Sequence, residues 1–150
     1  MKKIPKLLIV TIALAPLSVS ASWKIKTEID DFTGDKVVTA YTYNASLSCR
    51  EGSRNSTTLS ILFDDVIQYQ QASMFRWKTA SEGGKAFIFA YDEIVDVTRL
   101  EDESYFLESI LSAPEVKIRA RTLSGEFSDT KISLDGFEPA YKKVLMSCKS

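Results

Sequence analysis

The protein has 150 residues, with 19 Lys and Arg against 20 Asp and Glu, and it contains no histidine. A nucleic-acid-binding protein usually carries a basic excess, so the near-neutral charge argues against that class. Without histidine, Ser-His-Asp and Cys-His nucleophiles and His-containing zinc sites are excluded.

The N-terminal segment has the pattern of an export signal. Three lysines lie within the first six residues, residues 7–17 are mostly apolar, and residues 19–21 are small. This pattern predicts that residues 1–21 form a signal peptide, cleaved after Ala21, and that residues 22–150 are exported as a single β-rich domain. The apolar stretch is about 11 residues, shorter than the roughly 20 that a membrane span needs; an uncleaved anchor helix is the alternative. The lysine-led leader is typical of bacteria, which places the domain in the periplasm or outside the cell.

The exported domain contains two cysteines, Cys49 and Cys148. Export places them in an oxidising compartment, and only one pairing is available, so a disulfide is the expected state. Two free buried thiols are the alternative.

The first part of the domain alternates between apolar and polar residues, which is typical of strands. The pattern predicts a strand over residues 23–29, turn chemistry at residues 30–35, and a second strand over residues 37–49. A third strand is predicted at residues 59–63. Residues 66–71 fit either an edge strand or a link to the next element.

Residues 74–91 have the pattern of a hairpin. Phe75, Trp77 and Thr79 lie on one face of the first predicted strand, and residues 81–84 carry two glycines where a turn requires positive φ. Aromatic side chains also alternate along the returning strand, at Phe87, Phe89 and Tyr91. Aromatic residues on alternating strands are typical of a core, and an exposed binding patch is the alternative.

The last third of the chain combines helical and strand patterns. Apolar spacing predicts a helix over residues 104–113, with Asp102 as its N-cap. Strands are predicted at residues 116–120 and 127–134. In the final helix, residues 137–148, the apolar side chains form one stripe that ends at Cys148.

These elements predict an α+β fold. We expect a mostly antiparallel β-sandwich or curled sheet of six or seven strands, with two short helices, one inserted late and one C-terminal, and a single disulfide. No element is predicted in the acidic segment 92–102. A disulfide from the last helix to Cys49 would join that helix to the sheet.

Pairs of acidic residues are the remaining candidates for chemistry. They occur at residues 30–31, 64–65, 92–93 and 101–103, where solvated turn and cap residues are the simplest interpretation. A hydrolase that uses two carboxylates is the alternative. Calcium binding near Asp30 would lack the EF-hand spacing and its closing glutamate. We therefore expect no enzyme activity, no catalytic residues, no metal and no cofactor.

Short motifs along nearly all of the exported domain match one family in their order. The matching residues are Trp23, the turn at residues 31–35, residues 47–50, 76–81, 84–87 and 106–111, Phe127, residues 134–137, Ala140 and Cys148. Together they resemble the periplasmic accessory proteins of type VI secretion, the VasI-like family. The resemblance implies a secreted, disulfide-linked, β-rich domain without known chemistry, whose relatives also include prophage-encoded envelope proteins.

A second resemblance concerns the tip of the central hairpin alone. Residues 80–87 look like the Ser-Gly-rich loop that small periplasmic lysozyme inhibitors insert into the enzyme cleft. The resemblance implies that Ser81 and Lys85 contact catalytic carboxylates, although Glu82 replaces the first glycine of that loop. An ordinary hairpin turn is the simpler interpretation.

We therefore expect a non-enzymatic periplasmic or secreted bacterial envelope protein that acts by protein–protein contact, as a type VI secretion accessory factor or a prophage-encoded relative. The partner would be an envelope or secretion-machine protein, contacted through Arg76, Trp77, Ser81 and Lys85. A periplasmic lysozyme inhibitor is the alternative function. Neither function involves nucleic acid.

Overall fold

The computed structural model describes residues 22–52, 57–68 and 73–148. The predicted signal peptide, residues 1–21, lies outside the described residues, as do residues 69–71 of the ambiguous segment 66–71. Within the described ranges, no helix has the length and apolar character required to cross a membrane.

Strands dominate the described part of the chain, and two helices interrupt them late. The strands are β1 (Lys24–Ile29), β2 (Lys36–Tyr41), β3 (Ala45–Arg50), β4 (Thr58–Leu62), β5 (Ser73–Lys78), β6 (Gly83–Tyr91), β7 (Ile94–Thr98), β8 (Glu115–Arg121) and β9 (Phe127–Ser133). The helices are α1 (Ser104–Leu111), which follows a 3₁₀ turn at Leu100–Asp102, and α2 (Phe137–Cys148).

All neighbouring strands pair antiparallel in a single sheet, in the order β1-β2-β3-β4-β7-β6-β5-β8-β9. The prediction of an antiparallel fold with two helices is confirmed. A β-sandwich is not confirmed, because the described strands belong to one sheet and the helices pack against its inner face.

The sheet curls until its first and last parts touch. The Trp23 indole, just before β1, donates a 3.0 Å hydrogen bond to the Ser133 carbonyl of β9. Asn44, in the β2–β3 turn, donates at 2.9 Å to the Lys131 carbonyl of the same strand. Two carbonyl groups on the outer edge of β9 therefore have side-chain donors.

Alternate residues of the strands face inward and form one core with the helices. Phe106 of α1 packs its ring 5.4 Å from those of Phe75 and Trp77, both in β5. Helix α2 packs against β2 and β3, and its buried stripe includes Phe137 and Val144. The two helices thus cover different regions of the inner face.

The predicted disulfide is confirmed. Cys49 of β3 and Cys148 at the end of α2 are bonded, and their Cα atoms lie 5.9 Å apart. Both side chains are buried, and the bond joins α2 to the sheet as expected. The disulfide is compatible with an extracytoplasmic location.

Two predictions for the strands were wrong because short turns divide the pattern. The predicted strand over residues 37–49 is two strands, and the chain reverses at Thr42, whose N–H donates to the Ala45 carbonyl at 2.8 Å. The acidic segment 92–102 contains an unpredicted strand, β7, which buries Val95 and Val97. Its apolar run is short and interrupted by an acid, so the sequence pattern was weak.

The turn of the central hairpin also differs from the prediction. The chain reverses at residues 79–82, and Gly83 and Gly84 belong to β6 without positive φ. A Cβ at Gly84 would lie 3.0 Å from the Trp77 ring, so this glycine makes room for the indole. The predicted N-cap of α1 was wrong too, because Asp102 lies in the 3₁₀ turn and Glu103 holds the cap position without a side-chain bond.

The aromatic residues of β6 face outward, so their interpretation as core was wrong. Phe87 is 60% exposed and Phe89 48%, whereas Ala86, Ile88 and Ala90 are buried. Helix α1 lies against the inner side of β6, and its apolar side chains occupy the space that larger residues of β6 would fill. Two alanines and one isoleucine therefore face the core from β6.

Candidate binding surface

The outer face of β5, β6 and β8 carries a cluster of exposed cations. Lys85 lies opposite Arg76, which on its other side lies opposite Arg119, and Lys78 lies opposite Lys117. All five side chains are exposed. We call these five residues the basic ladder: Arg76, Lys78, Lys85, Lys117 and Arg119.

One carboxylate neutralises part of the basic ladder. Asp129 of β9 accepts hydrogen bonds from Arg119 at Nε, 2.6 Å, and at Nη2, 2.5 Å. These bonds, with the charges of Arg119 and Lys117, hold the pKa of the Asp129 carboxyl below its usual range. Both side chains are about half exposed, so solvent screens the pair and it contributes little to stability.

The other members of the ladder have no ion-pair partner among the described residues. The salt bridges of those residues include none to Arg76, Lys78, Lys85 or Lys117. The remaining segments of the chain contain no Asp or Glu side chain. Four exposed cations therefore share this surface, and none of them forms an ion pair within the part of the chain that the structure describes.

Like charges directly opposite one another destabilise a sheet. The pairs Arg76–Lys85, Arg76–Arg119 and Lys78–Lys117 are all of this kind. The arrangement weakens the isolated fold, and an anionic partner would relieve the repulsion.

A cleft of about 770 Å³ opens beside the ladder. Lys78, Lys117 and Arg119 line it together with residues 80–84 of the hairpin, and Asp129 lies at its side. The cleft therefore places cations of the basic ladder next to an exposed turn, with Glu82 and Asp129 as the acids of its lining.

The hairpin turn is fixed by bonds to its own backbone and to α1. The Thr79 N–H donates to the Glu82 carbonyl at 2.8 Å, and the Glu82 N–H donates to the Thr79 hydroxyl at 3.1 Å. The Ser109 hydroxyl of α1 donates to the Glu82 carboxylate. This bond directs the only acid of the turn toward the helix and leaves Ser81 exposed.

The structure brings together three of the four residues that the sequence suggested for partner binding. Arg76 and Lys85 are cross-strand neighbours in the ladder, and Ser81 lines the adjoining cleft. Trp77 is only 3% exposed and packs against Tyr105 and Phe106, so its indole supports the surface from below.

Sequence reasoning missed the other members of the ladder. The outward positions of β8 alternate as Lys117, Arg119 and Arg121, and this alternation was visible in the sequence. The pairing of β8 with β5 was not visible, because it depends on which distant strands become neighbours.

An aromatic strip continues the same outer face beyond the ladder. It consists of Phe87, Phe89 and Tyr91, each about half exposed or more. Phe87 follows Lys85 on this face and lies opposite Met74, which is 46% exposed. Exposed aromatic side chains, methionine and arginine are typical of a protein interface.

Comparison of the chain with protein-family models, curated proteins and solved structures gave no match. Within residues 22–52, 57–68 and 73–148, no three acids or cysteines are grouped so that they could hold a metal ion. The outer face is thus the candidate site on geometric grounds.

Proposed function

We propose that the protein is a non-enzymatic, extracytoplasmic binding protein that contacts an acidic partner protein through the basic ladder. The observation that carries the proposal is the set of like-charged neighbours on β5, β6 and β8, which has one matching acid, Asp129. An acidic surface placed on the ladder would replace repulsion by attraction and would be drawn to it from a distance.

The expected location directs the search for this partner. An exported domain with a disulfide would meet its partner in the periplasm or outside the cell. The resemblance to the VasI-like family suggests a component of an envelope machine, such as a type VI secretion system. The aromatic strip would supply the apolar contacts next to the charged ones.

Charge reversal on the ladder is expected to abolish partner binding. In a pull-down from periplasmic extract, the purified protein should retain an envelope component, and the double variant Lys78→Glu/Lys85→Glu should lose it. Like charges placed against each other cost several kcal/mol, which corresponds to a loss of at least about tenfold in affinity. The retained amount should also fall as salt is raised.

A matched double variant controls for net charge. Lys36→Glu/Lys143→Glu changes the charge equally at positions outside the ladder, and it should retain the component. Recovery of chaperones alone, or equal recovery by both double variants, would contradict the proposal.

A lysozyme inhibitor remains the second candidate, and one observation favours it. The negative charge of Glu82 in the inserted loop argues against this function, because the loop would meet catalytic carboxylates. The Ser109 hydroxyl donates to the carboxylate of Glu82, which offsets part of this charge, and Ser81 and cations of the basic ladder line the same cleft. These groups suit the catalytic carboxylates of an enzyme cleft.

Inhibition of lysozyme is tested by the clearing of a turbid bacterial-cell suspension. If the tip inserts into the lysozyme cleft, excess protein should slow the clearing. The variant Ser81→Ala/Lys85→Ala should inhibit at least about tenfold less strongly, as expected for the loss of two charge-assisted contacts. The control Lys36→Ala/Lys143→Ala should inhibit like the unmodified protein. No inhibition at large excess would exclude this function.

A further inference from the structure

The first strand forms an uncovered edge of the sheet. Among the described strands, β1 pairs with β2 alone. Its residues Thr27 and Glu28 are exposed, and Ile29 is 60% exposed. The opposite edge differs, because the side chains of Trp23 and Asn44 bond to carbonyl groups of β9.

One hydrogen bond shows which backbone groups of β1 point to the free edge. The Asp30 N–H donates to the Asp35 carbonyl at 2.9 Å, in continuation of the β1–β2 pairing. In an antiparallel pair, alternate residues bond to the same neighbour. The even-numbered residues of β1 therefore bond to β2, and Ile25, Thr27 and Ile29 present their N–H and carbonyl groups outward.

We propose that this free edge binds a second copy of the chain, with the two β1 strands antiparallel about a two-fold axis at Thr27. In this register Lys26 lies opposite Glu28 of the second copy, and Ile25 lies opposite Ile29 of the second copy. The outward backbone groups of both strands then face one another and complete the ladder of hydrogen bonds across the two copies.

Neighbouring registers are disfavoured by charge. The nearest other two-fold registers that keep the outward backbone groups opposed have their axis at Lys26 or at Glu28. The first shift sets Lys26 opposite itself, and the second sets Glu28 opposite itself, which is repulsive in both cases. The register about Thr27 avoids both and also sets Lys24 opposite Asp30.

The same charges distinguish the second copy from unrelated strands. Lysines on edge strands usually discourage pairing with other chains. Within one copy, Lys26 already lies 3.1 Å from Glu28, and both side chains are about half exposed. In the two-fold pair each of these charges gains a further opposite charge, whereas an unrelated strand would leave them unmatched. The pairing also covers the exposed side chain of Ile29 with Ile25 of the second copy.

The oligomeric state in solution tests the pairing. Sedimentation equilibrium of the purified protein should show a monomer–dimer equilibrium. Lys26→Glu should raise the dimer dissociation constant by about tenfold, because two opposite-charge contacts become repulsive. The swap Lys26→Glu/Glu28→Lys restores opposite charges across the axis and should restore the dimer.

Two further variants test the axis itself. Thr27→Pro removes an outward N–H that β2 does not use, so it should give a monomer that unfolds near the temperature of the unmodified protein. Thr27→Cys should form a covalent dimer under mild oxidation, since opposed Cα atoms in such a pair lie about 5.5 Å apart. Lys24→Cys should not, because residue 24 faces residue 30.

A monomer at all concentrations would overturn the proposal, as would a dimer that all of these variants leave unchanged. If Thr27→Pro fails to fold, the charge swap and the cysteine variants still decide. The basic ladder takes no part in this pairing, so the outcome is independent of partner binding.

Discussion

Replacing Cys49 and Cys148 together by alanine is expected to lower the free energy of unfolding by about 4–5 kcal/mol. The disulfide joins residues 99 positions apart, and a loop of that length loses much chain entropy in the unfolded state. Urea denaturation of the unmodified and double-alanine proteins measures the difference. Because domains of this size are stable by about 5–15 kcal/mol, the loss would remove a large part of the total.

Reduction of the unmodified protein provides the matched control. Reduced protein and the double-alanine variant share the open loop, so their midpoints should agree closely. A thiol count on the denatured, unreduced protein should find none. A loss below about 1 kcal/mol in both samples would show that the bond constrains the unfolded chain far less than its loop length implies.

The variant Phe106→Ala is expected to lower the free energy of unfolding by about 3–5 kcal/mol. The ring is 1% exposed and packs between the rings of Phe75 and Trp77, so its removal leaves a cavity beneath β5. The same loss should loosen α1 and, through Ser109 and Glu82, the hairpin turn. Urea denaturation again gives the magnitude.

The adjacent residue offers a control on the same helix. Tyr105 also has its ring 5.4 Å from that of Trp77, yet it is 56% exposed. Tyr105→Ala should therefore cost about 1 kcal/mol or less, since it creates no closed cavity. Equal losses for Tyr105→Ala and Phe106→Ala would contradict the assignment of Phe106 to the core.

Local patterns predicted much of this fold because they report how one element meets the core. The apolar stripe of α2 placed Cys148 on the buried side of the helix, and the disulfide followed from the pairing rule. Alternation also identified the central hairpin and the buried face of β5. Each of these predictions depends on residues that are close in sequence.

Features that depend on distant neighbours could not be predicted in this way. The basic ladder exists because β8 pairs with β5, and nothing in the sequence near Arg76 indicates that Arg119 will lie opposite it. The role of Gly84 also depends on a neighbouring strand. A glycine is needed at this position because the ring of Trp77 on the paired strand leaves no room for a Cβ, and not because the chain turns there. The outward direction of Phe87 likewise depends on the position of α1.

The contact between the two ends of the curled sheet affects how this chain can fold. The indole of Trp23 reaches a carbonyl 110 residues later in sequence, at Ser133. Contacts of this separation form late, because a long loop must close before they add stability, and topologies rich in them fold in about milliseconds to seconds. During synthesis the N-terminal part of the chain emerges first. It cannot form this contact until β9 has emerged as well, so the first strand reaches its final packing only after the last strand is available.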